Sequence, residues 1–329
     1  MKMISRLLLT VGLVLSATTV SAQALKFGHY VSPSDFRGKT VQKFADIINQ
    51  KGNDKITVNV YPNESLVKGR DSLQATARGT ADLYSVFAGY ITGSIGLMKV
   101  FTFPFPSENY TDQKLMEFAN DPEVVEILGK ALDSNNIKLL GFINTTGNTT
   151  AFFRRPFNGL SDFKGIKIRG VGGYSDVALE ELQASIIFMS AAEQFLQLET
   201  GGVDAVITTE SSYINQDLAS VAPYVLNDVV VRGPYALIMN KRKWARLDEE
   251  SQKQIMQTVA ETIEWSNKNV TAENEQLALA MKAKAKEFYS FTSEEREELK
   301  KVQQKAIDFF IKEYGEDAKR LVEIYKKYQ

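Results

Sequence analysis

Apolar residues recur along this chain with two different periods. Where they alternate, as in "KITVNVYP" (55–62), the pattern predicts a strand with one buried face. Where they recur at three- and four-residue steps, as Val41, Phe44, Ile47 and Ile48 do within 36–50, it predicts a helix. Read this way, 25–30, 55–62 and 81–89 are strands, with helices at 36–50 and 69–79, the second ended by Gly79. The same order returns with strands at 165–169, 185–189 and 203–209 and helices at 174–183 and 190–202. Strand–helix–strand runs with short links make parallel strands and right-handed crossovers. Two such units predict two α/β lobes, each a mainly parallel sheet flanked by helices. Between them lie "FTFPFP" (101–106), two helices within 112–133 and a strand at 137–144. Residues 149–155 and 222–240 read as strands crossing between the lobes and back, which would form a hinge. The last third is helical. Asp248 can cap a helix carrying Ile255, Val259 and Ile263, and Thr292 with Glu295 forms a capping box ahead of Leu299, Val302, Ala306 and Phe309–Phe310. These helices are expected across the back of the lobes. The expected partition is lobe 1 from 23–146 and 235–270, and lobe 2 from 147–234 with parts of 271–329.

The first 22 residues follow a different pattern. Lys2 and Arg6 precede the apolar run Leu7–Leu15, and small residues follow, with Val20 and Ala22 at the −3 and −1 positions of a cleavage site before Gln23. This is a secretory signal peptide. The apolar run is well short of the roughly 20 residues a spanning helix needs. Export to a periplasm is therefore expected. The absence of Cys rules out disulfides, thiol catalysis and Cys-ligated metals. The 39 basic and 40 acidic residues form no long block, so binding to nucleic acid or to a membrane surface has no electrostatic support. Neither a "GxSxG" nor an "HExxH" motif occurs, and no cofactor or metal is expected.

Candidate chemistry comes from the strand ends. In open parallel α/β sheets, ligands bind beyond the carboxyl ends of the strands. Arg169 ends the strand 165–169, and the glycine-rich stretch Gly170-Val171-Gly172-Gly173 follows at once. Met189, Thr208 and Thr209 stand at equivalent ends in the same unit, and Tyr30 and Phe87 in the first. A guanidinium there offers a permanent charge and a planar fork of donors to a carboxylate. The flanking glycines would let the backbone turn and a ligand approach. An arginine at a strand end also occurs simply as a surface residue beside a carboxylate. The glycines do not make a dinucleotide fingerprint, because Ser175 stands where the third glycine would be.

Several stretches then match one family in order. "RRPFNGLSDFKGIKIRG", "YPNESLVKGRDSLQATARGTADL", "TFPFP", "FMSAAEQFLQLETGGVDA" and "MNKRKWARLDEE" resemble segments of the DctP-type solute-binding proteins of TRAP transporters, over nearly the whole chain after the leader. The resemblance implies a two-lobe periplasmic binding fold joined by crossing strands and a long helix. It implies a receptor, not an enzyme, that delivers a small organic acid to the membrane subunits of a TRAP permease. It also implies that Arg169 grips the ligand's carboxylate. The departures from the family pattern are informative. Gly170 replaces the Pro that commonly follows that arginine. Asn148 stands where many members have a second arginine, and Thr208 where an Asn is common. A monoanion, a monocarboxylate or similar oxyanion, is therefore expected over a dicarboxylate.

Arg232, in "VVVRGPY", either supplies a further charge from the returning strand or faces solvent. Tyr30, Phe36 and Phe87 would form an apolar wall. Glu193 either supports the cleft or faces the permease, and His29, the single histidine, is assigned no chemistry. A monomer is expected. Two other functions stay open at this level: a secreted carboxylate-based hydrolase, and the extracellular ligand-sensing partner of a signalling system.

Overall fold

The computed structural model describes residues 23–51 and 55–329. The expected leader, 1–22, lies outside them. Lobe 1 begins with β1 (Gln23–His29), α1 (Phe36–Lys51), β2 (Ile56–Tyr61), α2 (Ser72–Arg78) and β3 (Leu83–Phe87). It continues through α3 (Asp112–Ala119), α4 (Pro122–Asp133) and β4 (Ile137–Ile143). α1 buries Val41, Phe44, Ile47 and Ile48, the face its periodicity marks. α2 stops at Gly79, whose φ of +88° is costly for any residue with a Cβ.

Lobe 2 contains β5 (Thr149–Phe153), β6 (Lys167–Arg169), α5 (Tyr174–Glu181), β7 (Ser185–Ile187) and α6 (Gln194–Thr200). β8 (Ala205–Thr209), α7 (Glu210–Asn215) and β9 (Tyr224–Leu226) follow. The chain then returns to lobe 1 as β10 (Tyr235–Asn240) and α8 (Lys241–Ala245). It finishes with α9 (Glu249–Lys284), β11 (Glu287–Tyr289) and α10 (Ser293–Tyr325).

The two sheets have the orders β2-β1-β3-β10-β4 and β11-β9-β5-β8-β6-β7. Each is parallel except for one strand. β10 runs antiparallel to β3 and β4, and β5 runs antiparallel to β8 and β9. These are the two strands that arrive from the opposite lobe. A chain entering a lobe from the cleft must run away from it, whereas the other strands run toward it. The two-lobe α/β fold expected from the sequence is thus the observed one, with one reversed strand per sheet.

The crossings themselves are not continuous strands. Residues 144–148 and 227–234 are connectors outside the named strands, tied by isolated bridges from Val231 to Thr149 and Pro104. α9 spans 36 residues, about 54 Å at 1.5 Å per residue. It packs on α1 and β4 of lobe 1 and on α7 of lobe 2. Asn267 and Asn274 of α9 hold the first connector, the one through the Asn144 amide (2.7 Å) and the other through the Gly147 backbone N–H (2.8 Å). Both predicted caps form. Asp248 accepts from the Ser251 backbone N–H, and Thr292 and Glu295 make the reciprocal box. α10 kinks at Gly315 (φ +66°) and packs on α4 and on α5, one from each lobe.

Side chains on β5 alternate between two cores. Ala151 and Phe153 join the large core that continues into lobe 1, while Phe152 joins a smaller cluster with Leu198, Val206 and Tyr213. Among the described residues no helix is long and apolar enough to cross a membrane.

His29, at the end of β1, is 2 % exposed. Burial lowers its pKa to about 4 against the pull of Asp35, with Arg37 reinforcing the shift. Between pH 6.5 and that value the unfolded chain binds this proton and the folded chain does not. Stability is therefore lost as pH falls through this window, by about 3 kcal/mol in all. His29→Gln should flatten the dependence of the urea midpoint on pH between 6.5 and 5. An unchanged slope would show that this histidine is not the source.

Candidate functional site in the interlobe cleft

The lobes are shut around a narrow cleft. Lobe 1 contributes Tyr30 after β1, Arg37 in the first turn of α1, Phe87 at the end of β3, Tyr90 in the turn that follows, and Tyr235 at the start of β10. Lobe 2 contributes Arg169 at the end of β6, Val171, Thr208 and Thr209 at the end of β8, Thr149 at the start of β5, and Ser212 of α7.

Arg169 is 2 % exposed. Its Nη1 donates to the carbonyl of Ile207, in the neighbouring strand β8, and its Nη2 donates to the Tyr90 hydroxyl at 2.6 Å, across the cleft. Nε is buried and has no partner among the described residues. The Thr149 hydroxyl, which also lines the cleft, is likewise buried and unpartnered. A buried donor left unmatched is costly, so a ligand entering the cleft could gain by answering these two groups.

A second guanidinium, Arg37, faces the same cleft, but it is already neutralised. Asp35 receives its Nε at 2.7 Å and its Nη2 at 2.6 Å, while Nη1 donates to Tyr235 Oη at 2.7 Å. Burial alone would raise the Asp35 carboxyl, but the Arg37 charge and hydrogen bonds from Arg37 and Ser211 outweigh it and hold the group below its ordinary value. The pair also joins the lobes. Ser211 and Asn215 of α7 donate to Asp35, and Arg37 reaches Ser212 at 3.3 Å. Tyr30 and Tyr235 stack at 5.8 Å, and their hydroxyls meet at 2.6 Å. With Tyr90 stacked on Tyr30 at 5.2 Å and Phe87 edge-on to Tyr90, they form an aromatic wall.

Four residues expected in the site line this cleft: Arg169, Thr208, Tyr30 and Phe87. The other four lie elsewhere. Phe36 stacks on Trp265 of α9 at 5.3 Å, because the start of α1 is packed against that helix. The Met189 side chain is buried in the smaller core of lobe 2. Asn148 and Arg232 sit on the two connectors and bond to each other at 3.0 Å. Arg232 is paired with Asp112 of α3, and Asn148 donates to Glu210 at 3.2 Å, so both side chains fasten the hinge. Glu193 accepts from the Ser190 backbone N–H in a capping box that starts the turn before α6.

The sequence reading missed Arg37, Tyr90, Tyr235 and Thr149. Tyr235 and Thr149 are the first residues of the two reversed strands, so their amino ends, not their carboxyl ends, face the cleft. The one signal for Arg37 was Asp35 two residues before it, a carboxylate able to neutralise a buried charge.

Gly172 and Gly173, after Arg169, serve lobe contact. Gly172 has φ +104°, and a Cβ there would lie 2.4 Å from the carbonyl oxygen of Gly89 in lobe 1. A Cβ at Gly173 would lie 2.2 Å from Thr102 Oγ1, which accepts the Tyr174 backbone N–H at 3.0 Å.

A family model described as bacterial extracellular solute-binding protein, family 7 (DctP), matches residues 27–313. The chain belongs to this family. It is a TRAP-type periplasmic solute-binding protein, and the family consists of binding components of transporters, not enzymes, which sets aside the hydrolase alternative. The C4-dicarboxylate-binding periplasmic protein DctP of Rhodobacter capsulatus is 27% identical over 276 residues, covering 83% of this chain and 81% of that one. The 2,3-diketo-L-gulonate-binding periplasmic protein YiaO of Escherichia coli is 22% identical over 274 residues, covering 81% of each. Among solved structures, DctP7 of Bordetella pertussis, which binds pyroglutamic acid, matches with a TM-score of 0.84 at 16% identity, covering 93% of this chain and 100% of that one. The sugar acid binding protein DctPAm of Advenella mimigardefordensis, in complex with galactonate, matches with a TM-score of 0.84 at 22% identity, covering 94% and 100%. At these identities the structures speak for the fold of this DctP-family protein.

Gly172→Ala is expected to keep the lobes of the DctP-family protein from meeting and to weaken ligand binding by about tenfold or more, through backbone strain and the clash with Gly89. Gly165 also has positive φ (+79°) but open space around it, so Gly165→Ala should cost stability and leave affinity within a few-fold. Calorimetry on both variants, with an acid that binds the unaltered protein, checks this. Equal losses of affinity would refute the lobe-contact role.

Proposed function

We propose that this protein is the periplasmic receptor of a TRAP permease for a small organic monocarboxylate. The observation that carries this reading is the uncommitted Nε of Arg169, buried inside a cleft whose other lining guanidinium is neutralised by Asp35. The cleft thus offers one free positive charge to one carboxylate. The ligand carboxylate takes the Nε edge of Arg169 and shares the Tyr90 hydroxyl. Its carbon body lies on the wall of Tyr30, Phe87 and Tyr235, and a polar substituent meets Thr149, Thr208 or Thr209. Relatives that bind C4-dicarboxylates, diketogulonate or sugar acids support an organic acid as the solute class. Lobe closure on a ligand is a hinge motion of the kind known for periplasmic binding proteins. The ligand favours the shut state only through the contacts it gains there.

A thermal-shift screen of mono- and dicarboxylic acids tests this reading. A ligand at one hundred times its Kd adds about 2.7 kcal/mol of stability. Monocarboxylates should raise the melting temperature, and dicarboxylates of similar length should raise it less. Calorimetry with the best acid should then show Arg169→Ala weakened by about 2–5 kcal/mol. Affinity retained within a few-fold, or a consistent preference for dicarboxylates, refutes the proposal. Uptake of that acid by cells with and without the permease subunits separates transport from a sensing role.

A further inference from the structure

Arg70 belongs to lobe 1, in the short turn Gly69–Asp71 ahead of α2, and its side chain reaches into lobe 2. Nε and Nη2 both donate to the carbonyl of Met189, at 2.9 and 2.8 Å, and Nη2 also approaches the carbonyl of Gly170 at 3.3 Å. Gly170 directly follows Arg169. Two rings contact the guanidinium, Tyr90 from lobe 1 with its centroid at 4.2 Å and Phe188 from lobe 2 at 3.4 Å. Tyr90 is the residue whose hydroxyl receives Arg169. Phe188 remains 63% exposed, an unusual setting for a large apolar side chain.

An ordinary surface arginine pairs with a carboxylate. Among the described residues Arg70 has no such ion pair; its hydrogen bonds, from Nε and Nη2, go to backbone carbonyls of the opposite lobe, while Nη1 is buried without a partner. Burial lowers its pKa, and the nearby charge of Arg169 acts in the same direction, while Tyr90 and the carboxylate of Asp176 oppose both. A cation accepts such a position only where its contacts compensate. Here the fork of donors grips one carbonyl twice and the flat faces meet aromatic rings, a combination that lysine cannot reproduce.

We propose that Arg70 is an interlobe clasp, a positioning residue that holds lobe 2 shut by gripping the loops after Arg169 and Ile187 and by docking on Phe188. The clasp rests on the reading of this cleft as the binding site, but its contacts are all between protein groups. It therefore acts with or without a ligand.

The absence of native Cys permits a clean test. Gln42→Cys on α1 and Glu199→Cys on α6 place one label on an exposed position of each lobe. Single-molecule energy transfer is then measured on the full-length mature protein after ligand removal by unfolding and refolding. The unaltered protein should show a shut population. Arg70→Ala should reduce its ratio to the open form about tenfold, the scale expected for losing hydrogen bonds from a charged donor. Arg70→Lys, which keeps the charge, should fall nearly as far. Phe188→Ala, a change at an exposed position that should leave folding intact, should reduce the ratio less, and in the same direction. An Arg70→Ala ratio within twofold of the unaltered protein, rescue by lysine, or no shut population in the unaltered protein would overturn the clasp. Those failures are distinct from failure of the binding-site reading, which would appear as retained affinity in Arg169→Ala with the shut population unchanged.

Discussion

A positive charge kept out of water needs an answering group, and this requirement organises the centre of the molecule. Arg37 meets it with Asp35 two residues away, and the resulting pair becomes a neutral building block that α7 can grip from the other lobe. Arg169 meets it only in part, with a carbonyl and a tyrosine hydroxyl, and one donor stays uncommitted. This divides a positive charge that the protein answers fully from one that it answers in part. Lobe closure makes the division matter, because in open water either guanidinium would be satisfied by solvent.

The strand directions follow from the same two-lobe plan. Each sheet points its parallel strands at the cleft, and the strand that enters from the opposite lobe must run the other way. That reversal brings the first residues of β5 and β10, Thr149 and Tyr235, to the site beside the last residues of the other strands. The connectors between lobes are short. They are held by a polar network, with Asp112, Asn148, Glu210 and Arg232 linked across both connectors and Asn274 of α9 bound to Asp112 and Gly147. Hydrogen bonds of this kind are directional. They fix the course of the connectors where an apolar contact would permit sliding.

Most of the helices and strands could be read from the chain before folding, for local reasons. The spacing of Val41, Phe44, Ile47 and Ile48, the stop at Gly79 and the caps at Asp248 and Thr292 each depend on neighbours within a few residues. The site was only half legible. Arg169, Thr208, Tyr30 and Phe87 stand at carboxyl ends of parallel strands, where a general rule applies. Tyr235 and Thr149 stand at amino ends of reversed strands, and the reversal depends on long-range pairing. Asn148 and Arg232 have the residue types of ligand contacts, yet the fold spends them on each other. The glycines after Arg169 suggested room for a ligand, but at Gly172 the space is filled by the backbone of the opposite lobe.

By itself, then, the order of residues determined the elements, the two-unit plan and the presence of one arginine at a strand exit. It could do so because periodicity, capping and strand-end position are properties of short segments. Which charges are cancelled, which aromatic rings share a wall and which side chains tie one half of the molecule to the other were decided only in three dimensions. Those contacts join residues far apart in the chain, as Tyr30 meets Tyr235 within lobe 1 and Arg37 meets Ser212 across the lobes, and no short segment carries both partners.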